Sequence, residues 1–326
     1  MTPSESPAPG AQARGEAAGP HGRVHCVGLV TLDLVLRTAA LPAGPGKSFA
    51  TGLAEIGGGP AASAAVCVAR LGGAAALAGR LGADDAGRRL TEELQGEGVD
   101  TTWLRRFAGA RSPMSAVMVD DAGERSIMAF SDPAMPADAA WLAPALDGGA
   151  VLADLTWPQG ALALFGRARA AGLPRVLDAD RFRHAPGIVR GLVEAASHTI
   201  FSRPGLAQLT GHDGVAAGLA SLAGMAGADR LLAVTDGADG VFWLDGTALR
   251  QQRPPAITPL DTTGAGDAFH GAFALALARG QALLAALRFA TGVAAAKCTV
   301  AGGRAGLPTT AGLATFLRRH PLPDPQ

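Results

Sequence analysis

The stretch from Asp261 to Gly280 constrains the fold of this 326-residue chain more than any other. A polar turn leads into Gly264 and Gly266, and the residues that follow are apolar on nearly every side of a helix. A helix of that kind is stable only when it is buried, so the pattern predicts a rigid helix inside a globular domain. Gly280 supplies the signal that ends it.

The start of this helix predicts an anion-binding site. The glycines let the backbone approach a ligand closely, and the free amides and positive dipole end of the helix favour phosphate. Asp267 lies in the first turn. It either caps the helix or acts as a base that takes a proton from a hydroxyl. In the second case the amides of Gly264, Ala265 and Gly266 would hold the transferring phosphoryl group.

The composition indicates a globular protein. Hydrophobic residues make up 48% and charged residues 17%, and the net charge is zero, which gives no electrostatic footprint for nucleic acid. No apolar run reaches the roughly 18 residues of a membrane span. No secretion signal is evident, and the three scattered cysteines favour a reducing compartment. We therefore expect a cytoplasmic protein that binds neither nucleic acid nor membranes.

The pattern along the chain predicts one large α/β domain. Residues 1–22 are rich in Pro, Ala, Gly and Ser and predict a disordered tail, with the domain at 23–320. Short apolar strands alternate with helices, as in a parallel sheet. The predicted strands cover residues 24–30, 150–155, 175–177, 198–201 and 231–234.

A second, smaller sheet is expected outside this domain's main sheet. Residues 115–130 alternate around a turn signal at 120–124, which predicts a hairpin. Together with strand-like residues it would form a sheet from about 34–56 and 112–131.

Polar residues follow several of the predicted strands. Asp33 comes just past the first, where it either binds a substrate or serves as a turn or helix cap. Asp178 and Asp180 follow another and have the same two interpretations.

Two glycine-containing segments partly match known nucleotide-binding motifs. Gly46-Lys47-Ser48 suggests a Walker A loop, but Leu41 occupies the position of its first glycine and no helix pattern follows, so we reject it. Lys47 is then either a contact for an anionic substrate group or a solvated lysine. Residues 57–62, at the start of a predicted helix, match a dinucleotide fingerprint weakly, because no strand leads tightly into them.

Three segments resemble one known family. Residues 261–267 resemble the C-terminal signature of the ribokinase family, also called the PfkB carbohydrate kinases. Residues 57–60 resemble its N-terminal motif, and residues 234–240 resemble its nucleotide-binding turn. The resemblance implies a ribokinase-like three-layer α/β/α domain with a mainly parallel sheet, and a small β-sheet lid over the substrate. It implies an ATP-dependent kinase of a sugar or sugar-like alcohol, with Asp267 as general base.

The resemblance also assigns ligands and partners. It implies that ATP and Mg²⁺ are used and that a monovalent cation such as K⁺ is held by backbone carbonyls near residues 302–306. Lids of this family commonly pair, which implies a homodimer. The implied acceptor-binding residues are Asp33, Gly58, Gly59 and Ser63, to which the sequence adds Lys47 as a candidate contact for an anionic group. The implied nucleotide-binding residues are Thr235, Gly237, Gly240 and Cys298. Lys297 either borders the nucleotide or satisfies carbonyls at a helix end.

The chain departs from the family pattern in two places. Many members carry Asn-x-x-Glu to organise Mg²⁺, and the matching stretch here is Ser202–Gly205, so we expect Mg²⁺ to be held mainly by ATP and water. Residues 57–60, 154–157, 201–205 and 297–299 look most like the sulfofructose kinases of the family. However, their sulfonate-binding Arg and Asn align with Thr156 and Ala129, so we expect the fold to carry over and not the substrate.

Two other functions remain open from the sequence. A nucleoside kinase would need an aromatic side chain to stack on the base, and aromatics total 5% with no Tyr. A non-catalytic sugar or nucleotide sensor would fit the missing Asn-x-x-Glu, but it would not need Asp267 beside an anion site.

Overall fold

The computed structural model of the protein describes residues 22–146, 148–225 and 230–326. The predicted tail at 1–22 therefore lies outside the described residues except for Gly22. The carbonyl oxygen of Gly22 accepts a hydrogen bond from the amide of Ala74 at 3.0 Å. At the other end, the amides and carbonyls of Gln326 and Gln251 exchange two hydrogen bonds, so residues beyond 320 also pack on the domain.

The described residues form thirteen strands and nine α-helices. The strands are β1 (Arg23–Gly28), β2 (Thr31–Arg37), β3 (Gly52–Gly58), β4 (Ala74–Gly82), β5 (Leu104–Phe107), β6 (Met114–Val119), β7 (Arg125–Phe130), β8 (Ala150–Asp154), β9 (Arg175–Ala179), β10 (His198–Ser202), β11 (Leu231–Thr235), β12 (Val241–Asp245) and β13 (Ala248–Gln252). The α-helices are α1 (Pro60–Arg70), α2 (Asp85–Gly96), α3 (Pro158–Ala170), α4 (Pro186–Ala195), α5 (Arg203–Thr210), α6 (Val215–Leu222), α7 (Ala265–Ala278), α8 (Leu283–Cys298) and α9 (Thr310–Arg319).

The main sheet is mostly parallel and lies between two layers of helices. Its strand order is β13-β12-β11-β10-β9-β8-β1-β4-β5, and only β12 and β13 run antiparallel to their neighbours. Apolar residues of α1, α2, α7, α8 and α9 form the core on one face, and those of α3 to α6 form the core on the other. The predicted three-layer α/β/α architecture is confirmed.

The predicted hairpin and small sheet are also present. The small sheet has the order β3-β2-β6-β7, and β6 and β7 form the hairpin. Asp33 lies inside β2 rather than in a turn, so its interpretation as a turn or helix cap is wrong. The expectation that no strand leads tightly into residues 57–62 is wrong, because β3 runs directly into α1. However, β3 belongs to the small sheet and runs antiparallel to β2, which excludes the dinucleotide fingerprint. Residues 46–48 lie in a loop without helix, which confirms the rejection of a Walker A motif.

Helix α7 occupies the interior, as its sequence predicts. Residues 268–276 are all buried, and the helix packs against α1, α8 and the central strands β1, β8 and β9. It ends at Ala278, just before Gly280, which has a positive φ of 72°. Among the described residues, every helix is too short or too polar to cross a lipid bilayer.

Candidate active site

Polar side chains meet at the carboxyl edge of the main sheet. Asp154 pairs in register with Asp178, and Ser202 with Thr235, at the ends of four neighbouring strands. Side chains alternate along a strand, so each faces the same way as the residue two positions earlier. Those earlier residues pack in the core that includes α7; they are Leu152, Val176, Ile200 and Ala233. This polar row therefore faces α7, at the edge where open α/β sheets bind ligands.

The turn before α7 is shaped for an anion. Gly264 has a φ of 76°, in the left-handed region that glycine adopts without strain. The amide of Ala265 donates to the carbonyl of Thr262 at 3.2 Å. Within the described part of the chain, the amides of Gly264 and Gly266 have no hydrogen-bond partner. Two of the three amides that the sequence assigned to the anion site are thus free to bind a ligand.

The surroundings of Asp267 raise the pKa of its carboxyl group and so favour the neutral form. Burial raises its pKa to about 7, and the neighbouring Asp178 contributes in the same direction. His270, a hydrogen bond from Ser63 and the charge of Arg304 act against this rise. A carboxylate with a pKa near 7 is a stronger base than an ordinary aspartate, and it can still be ionised at neutral pH.

His270 and Asp178 lie directly behind this base. His270 Nδ1 is 2.7 Å from the carbonyl oxygen of Gly266 and 3.5 Å from Asp178 Oδ2, and its Nε2 is 3.3 Å from the carbonyl oxygen of Ile200. Burial raises the pKa of Asp178 well above its usual range and lowers that of His270. Sequence reasoning missed His270; the available signal was its position three residues after Asp267, on the same face of the helix.

Sequence reasoning also missed Arg304, which connects the residues assigned to the acceptor with the surroundings of Asp267. Its buried guanidinium donates to the carbonyl of Gly58 at 2.6 Å, to Glu93 Oε1 at 3.0 Å and to Ser63 Oγ at 3.4 Å. Burial raises the pKa values of both Asp33 and Asp267, and the positive charge of Arg304 acts against that rise. The signal in the sequence was a single arginine in a loop of glycines, which resembled a solvated loop residue.

The residues assigned to the acceptor fall into two groups. Asp33 Oδ1 accepts a hydrogen bond from Ser115 Oγ at 2.6 Å, and a Cβ atom at Gly58 would overlap the Asp33 carboxylate. Asp33, Gly58, Gly59 and Ser63 therefore lie along one path from β2 to the start of α1. Lys47 is apart from them, in an exposed loop with its Nζ 5.2 Å from the ring centre of Phe49.

The residues assigned to the nucleotide lie after strand β11 and at the end of helix α8. Thr235 ends β11, and its hydroxyl donates to the carbonyl of Phe201 at 3.3 Å. Gly237 begins a short 3-10 turn after this strand, and Gly240 follows that turn. Cys298 ends α8, and its carbonyl accepts the amides of Leu260 and Asp261 at 2.8 and 3.2 Å. Cys298 is thus tied to the anion turn through its backbone, and burial raises the pKa of its thiol.

The stretch aligned with Asn-x-x-Glu has other contacts. Ser202 Oγ donates to Asp180 Oδ1 at 2.5 Å and accepts the amide of Gly205 at 3.0 Å, which caps α5. Arg203 pairs with Asp236 at 2.9 Å. Nowhere in residues 22–146, 148–225 and 230–326 do three or more His, Cys, Asp or Glu side chains form a group that could hold a metal ion.

Comparison with known proteins shows which family the sequence matches. The profile of the pfkB family of carbohydrate kinases matches residues 22–310. A fructokinase of Vibrio alginolyticus is 31% identical over 267 residues, which cover 74% of this chain and 85% of that protein. An aminoimidazole riboside kinase of Salmonella typhimurium is 32% identical over 267 residues, covering 75% of this chain and 82% of that protein.

Solved structures show the same fold. A protein of Agrobacterium tumefaciens, provisionally described as a ribokinase, superposes with a TM-score of 0.85 and 37% identity over 91% of this chain and 98% of its own. A double mutant of a Vibrio cholerae fructokinase, bound to fructose, ADP and a potassium ion, superposes with a TM-score of 0.75 and 26% identity, over 92% of this chain and 100% of its own.

Proposed function

The chain belongs to the pfkB family of carbohydrate kinases, which are phosphotransferases, and we propose that it transfers the γ-phosphoryl group of ATP to a hydroxyl of a sugar or sugar-like alcohol. The observation that carries this proposal is Asp267, a base with a pKa of about 7 in the first turn of α7, beside the free amides of Gly264 and Gly266. That arrangement places proton removal and anion binding side by side.

The reaction follows from these groups. The Asp267 carboxylate accepts the proton of the acceptor hydroxyl, and the hydroxyl oxygen forms a bond to the γ-phosphorus. The bond from that phosphorus to the bridging oxygen breaks, and ADP leaves. The amides of Gly264 and Gly266 stabilise the negative charge on the transferring group. Positioning and electrostatics provide most of the catalysis in phosphoryl transfer.

The test is ADP formation by the purified protein with a panel of ketoses, aldoses, nucleosides and sulfosugars. We expect acceptor-dependent ADP formation with at least one ketose or aldose. ADP formation with nucleosides alone would favour the second candidate, a nucleoside kinase, which the similarity to the aminoimidazole riboside kinase supports. No ADP formation with any acceptor, although ATP still binds, would favour the sensor interpretation.

A sulfosugar is a poor candidate for the acceptor. The hydroxyl of Thr156 already donates to Asp154 Oδ1 at 2.5 Å, and the side chain of Ala129 carries no donor. Lys47 is exposed and contacts Phe49 instead of the acceptor residues. A sulfonate needs charge-assisted donors, so these positions do not favour one.

Mg²⁺ belongs to this proposal as a partner of ATP. The described residues offer no metal cluster, so ATP and water would provide most of its ligands. When bound, it would neutralise charge on the phosphates.

The small sheet is proposed to be a lid that also forms a dimer. Arg125 of β7 pairs with Asp261 beside the anion turn at 2.7 Å, which joins the lid to the site. Leu53, Met128 and Phe130 lie on one face of the lid and are 64%, 75% and 45% exposed, an apolar surface typical of an interface. Analytical ultracentrifugation should show a homodimer that the lid variant Met128→Glu dissociates. A wild-type monomer would contradict this part of the proposal.

A cytoplasmic location is part of the proposal too, and the three free cysteines are consistent with it.

Activity is expected to fall as the pH is lowered through about 7. The pKa of Asp267 is raised to about 7, so the carboxylate that accepts the proton is present above that pH and lost below it. An ordinary aspartate would stay ionised down to about pH 4. The pH dependence of kcat/KM reports this ionisation. In Ser63→Ala, Asp267 loses a hydrogen bond to its charged form, so the acid limb should move to higher pH. An acid limb near pH 4, or one that Ser63→Ala leaves in place, would contradict the assignment.

Asp33→Asn is expected to lower kcat/KM for the acceptor by about 10- to 100-fold, since a hydrogen bond to a charged group contributes about 1.5–3 kcal/mol. The KM for ATP should not change. Ser115→Ala is the matched control, because it removes the donor to Asp33 Oδ1 and keeps the charge, so its effect should be smaller. Steady-state kinetics with each substrate varied in turn provides the measurement. An unchanged acceptor KM in Asp33→Asn would show that Asp33 does not bind the acceptor.

A further inference from the structure

Lys297 places a positive charge inside the protein, directly behind the anion turn. The residue is fully buried in the last turn of α8. Its Nζ donates to the carbonyl oxygen of Asp261 at 2.8 Å and lies 3.9 Å from Asp261 Oδ2. A buried ammonium group is costly unless it is paired and hydrogen-bonded, so these contacts hold both Lys297 and Asp261 in place.

Asp261 connects several parts of the site. Its carboxylate accepts the amides of Thr263 and Gly302 at 2.9 Å each, and it pairs with Arg125 of the lid. Because the peptide unit is planar, the bond from Lys297 to the Asp261 carbonyl also fixes the orientation of the next amide, at the start of the turn. The lysine therefore sets the geometry from which the anion site begins.

The backbone carbonyls of the neighbouring loop at residues 302–305 already accept hydrogen bonds. The carbonyls of Arg304 and Ala305 accept from Arg70 Nη1 at 2.8 and 3.4 Å, and those of Gly302 and Gly303 accept from the amide of Gly306 at 3.2 Å each. A K⁺ ion is held when several carbonyl oxygens together replace its hydration shell. Each of these four consecutive carbonyls already accepts an N–H group and keeps at most one lone pair for a metal ion, so the loop does not need the K⁺ ion that the family resemblance implies to satisfy its backbone.

A second cation would also meet repulsion here. The Lys297 side chain runs along this loop, with its Cε beside Gly306, and it ends at Asp261. Two like charges placed this close in a buried site repel strongly.

We propose that Lys297 is a positioning residue whose ammonium group takes the place of a bound monovalent cation behind the phosphate-binding turn, so that phosphoryl transfer by this chain does not require K⁺. The inference rests on the proposed kinase function. It differs from what the bound potassium ion of the Vibrio cholerae fructokinase suggests for a protein of this fold.

The first test uses the wild-type protein. ADP formation is measured in potassium chloride and in choline chloride at equal ionic strength, and the melting temperature is measured in the same buffers with and without an ATP analogue. We expect equal rates and equal melting temperatures. Saturable activation by K⁺, or a saturable rise in melting temperature specific to K⁺, would overturn the proposal. The melting arm does not depend on an acceptor, so it decides this question even if the kinase function itself fails.

The second test removes the ammonium group. Lys297→Ala should lower kcat in choline chloride by about 10- to 100-fold, as expected for loss of a charged hydrogen bond. Ammonium or K⁺ ions should restore part of the rate in a saturable manner, and Lys297→Arg should keep more activity than Lys297→Ala.

Arg288→Met is the matched control, since it removes a positive charge from the same helix, where Arg288 bonds to Pro323 and Gln252. It should remain insensitive to K⁺. Full activity of Lys297→Ala without any monovalent cation would overturn the role of Lys297; if this variant does not fold, Lys297→Met and the wild-type tests decide.

Discussion

Asp267→Asn is expected to lower kcat by about 10²- to 10⁴-fold, the usual contribution of a positioned general base. The amide keeps the size of the side chain but does not accept the proton of the acceptor hydroxyl. The dissociation constant for ATP, measured by calorimetry, should change little, because the amides of Gly264 and Gly266 remain free to bind phosphate. The loss should therefore appear in turnover and not in nucleotide affinity.

The control for this variant is a nearby change that keeps the base. Ser63→Ala removes a hydrogen bond to Asp267 but leaves the carboxylate, so its effect at high pH should be far smaller. Near wild-type turnover by Asp267→Asn would refute the assignment of Asp267 as the base.

Chelation of divalent metal ions is expected to stop turnover, with a loss of at least about 100-fold, because phosphoryl transfer from ATP relies on a metal ion to neutralise the phosphates. The rate should return when Mg²⁺ is added in excess of the chelator. ADP formation with and without chelator provides the measurement.

The same experiment distinguishes where the metal ion is held. The described residues contain no cluster of three metal-ligating side chains, and Ser202 and Arg203 are engaged with Asp180 and Asp236. The melting temperature of the nucleotide-free protein should therefore not respond to chelator. Turnover that persists in excess chelator would show that the reaction does not use Mg²⁺.

The sequence predicted the parts of this fold that depend on local pattern. The alternation of apolar strands and helices after residue 150 gave β8 to β11 to within a few residues, because each element has its own periodicity and its own glycine or proline boundary. The burial of α7 followed from its apolar residues on all sides. The lid hairpin followed from its turn.

The site was predicted only in part, because its remaining contacts join distant residues. Arg304 reaches Gly58 and Ser63 across more than 240 positions of the chain. Lys297 reaches Asp261 from another helix, and the sequence offered for it both a nucleotide contact and a helix-end role. Such pairs leave no periodic pattern. Only the packing of α1, α7 and the loop after α8 brings them together.

The most direct test of the proposed function is to follow the γ-phosphoryl group itself. ATP labelled at the γ-phosphate is incubated with each acceptor of the panel and with wild-type protein or Asp267→Asn. The products are then separated and identified by mass. The account predicts that the label moves to a hydroxyl of a sugar or sugar-like acceptor with the wild-type protein, and that Asp267→Asn binds ATP but leaves the label on it. Labelled acceptor formed at the same rate by both proteins, or label released only as free phosphate, would contradict it.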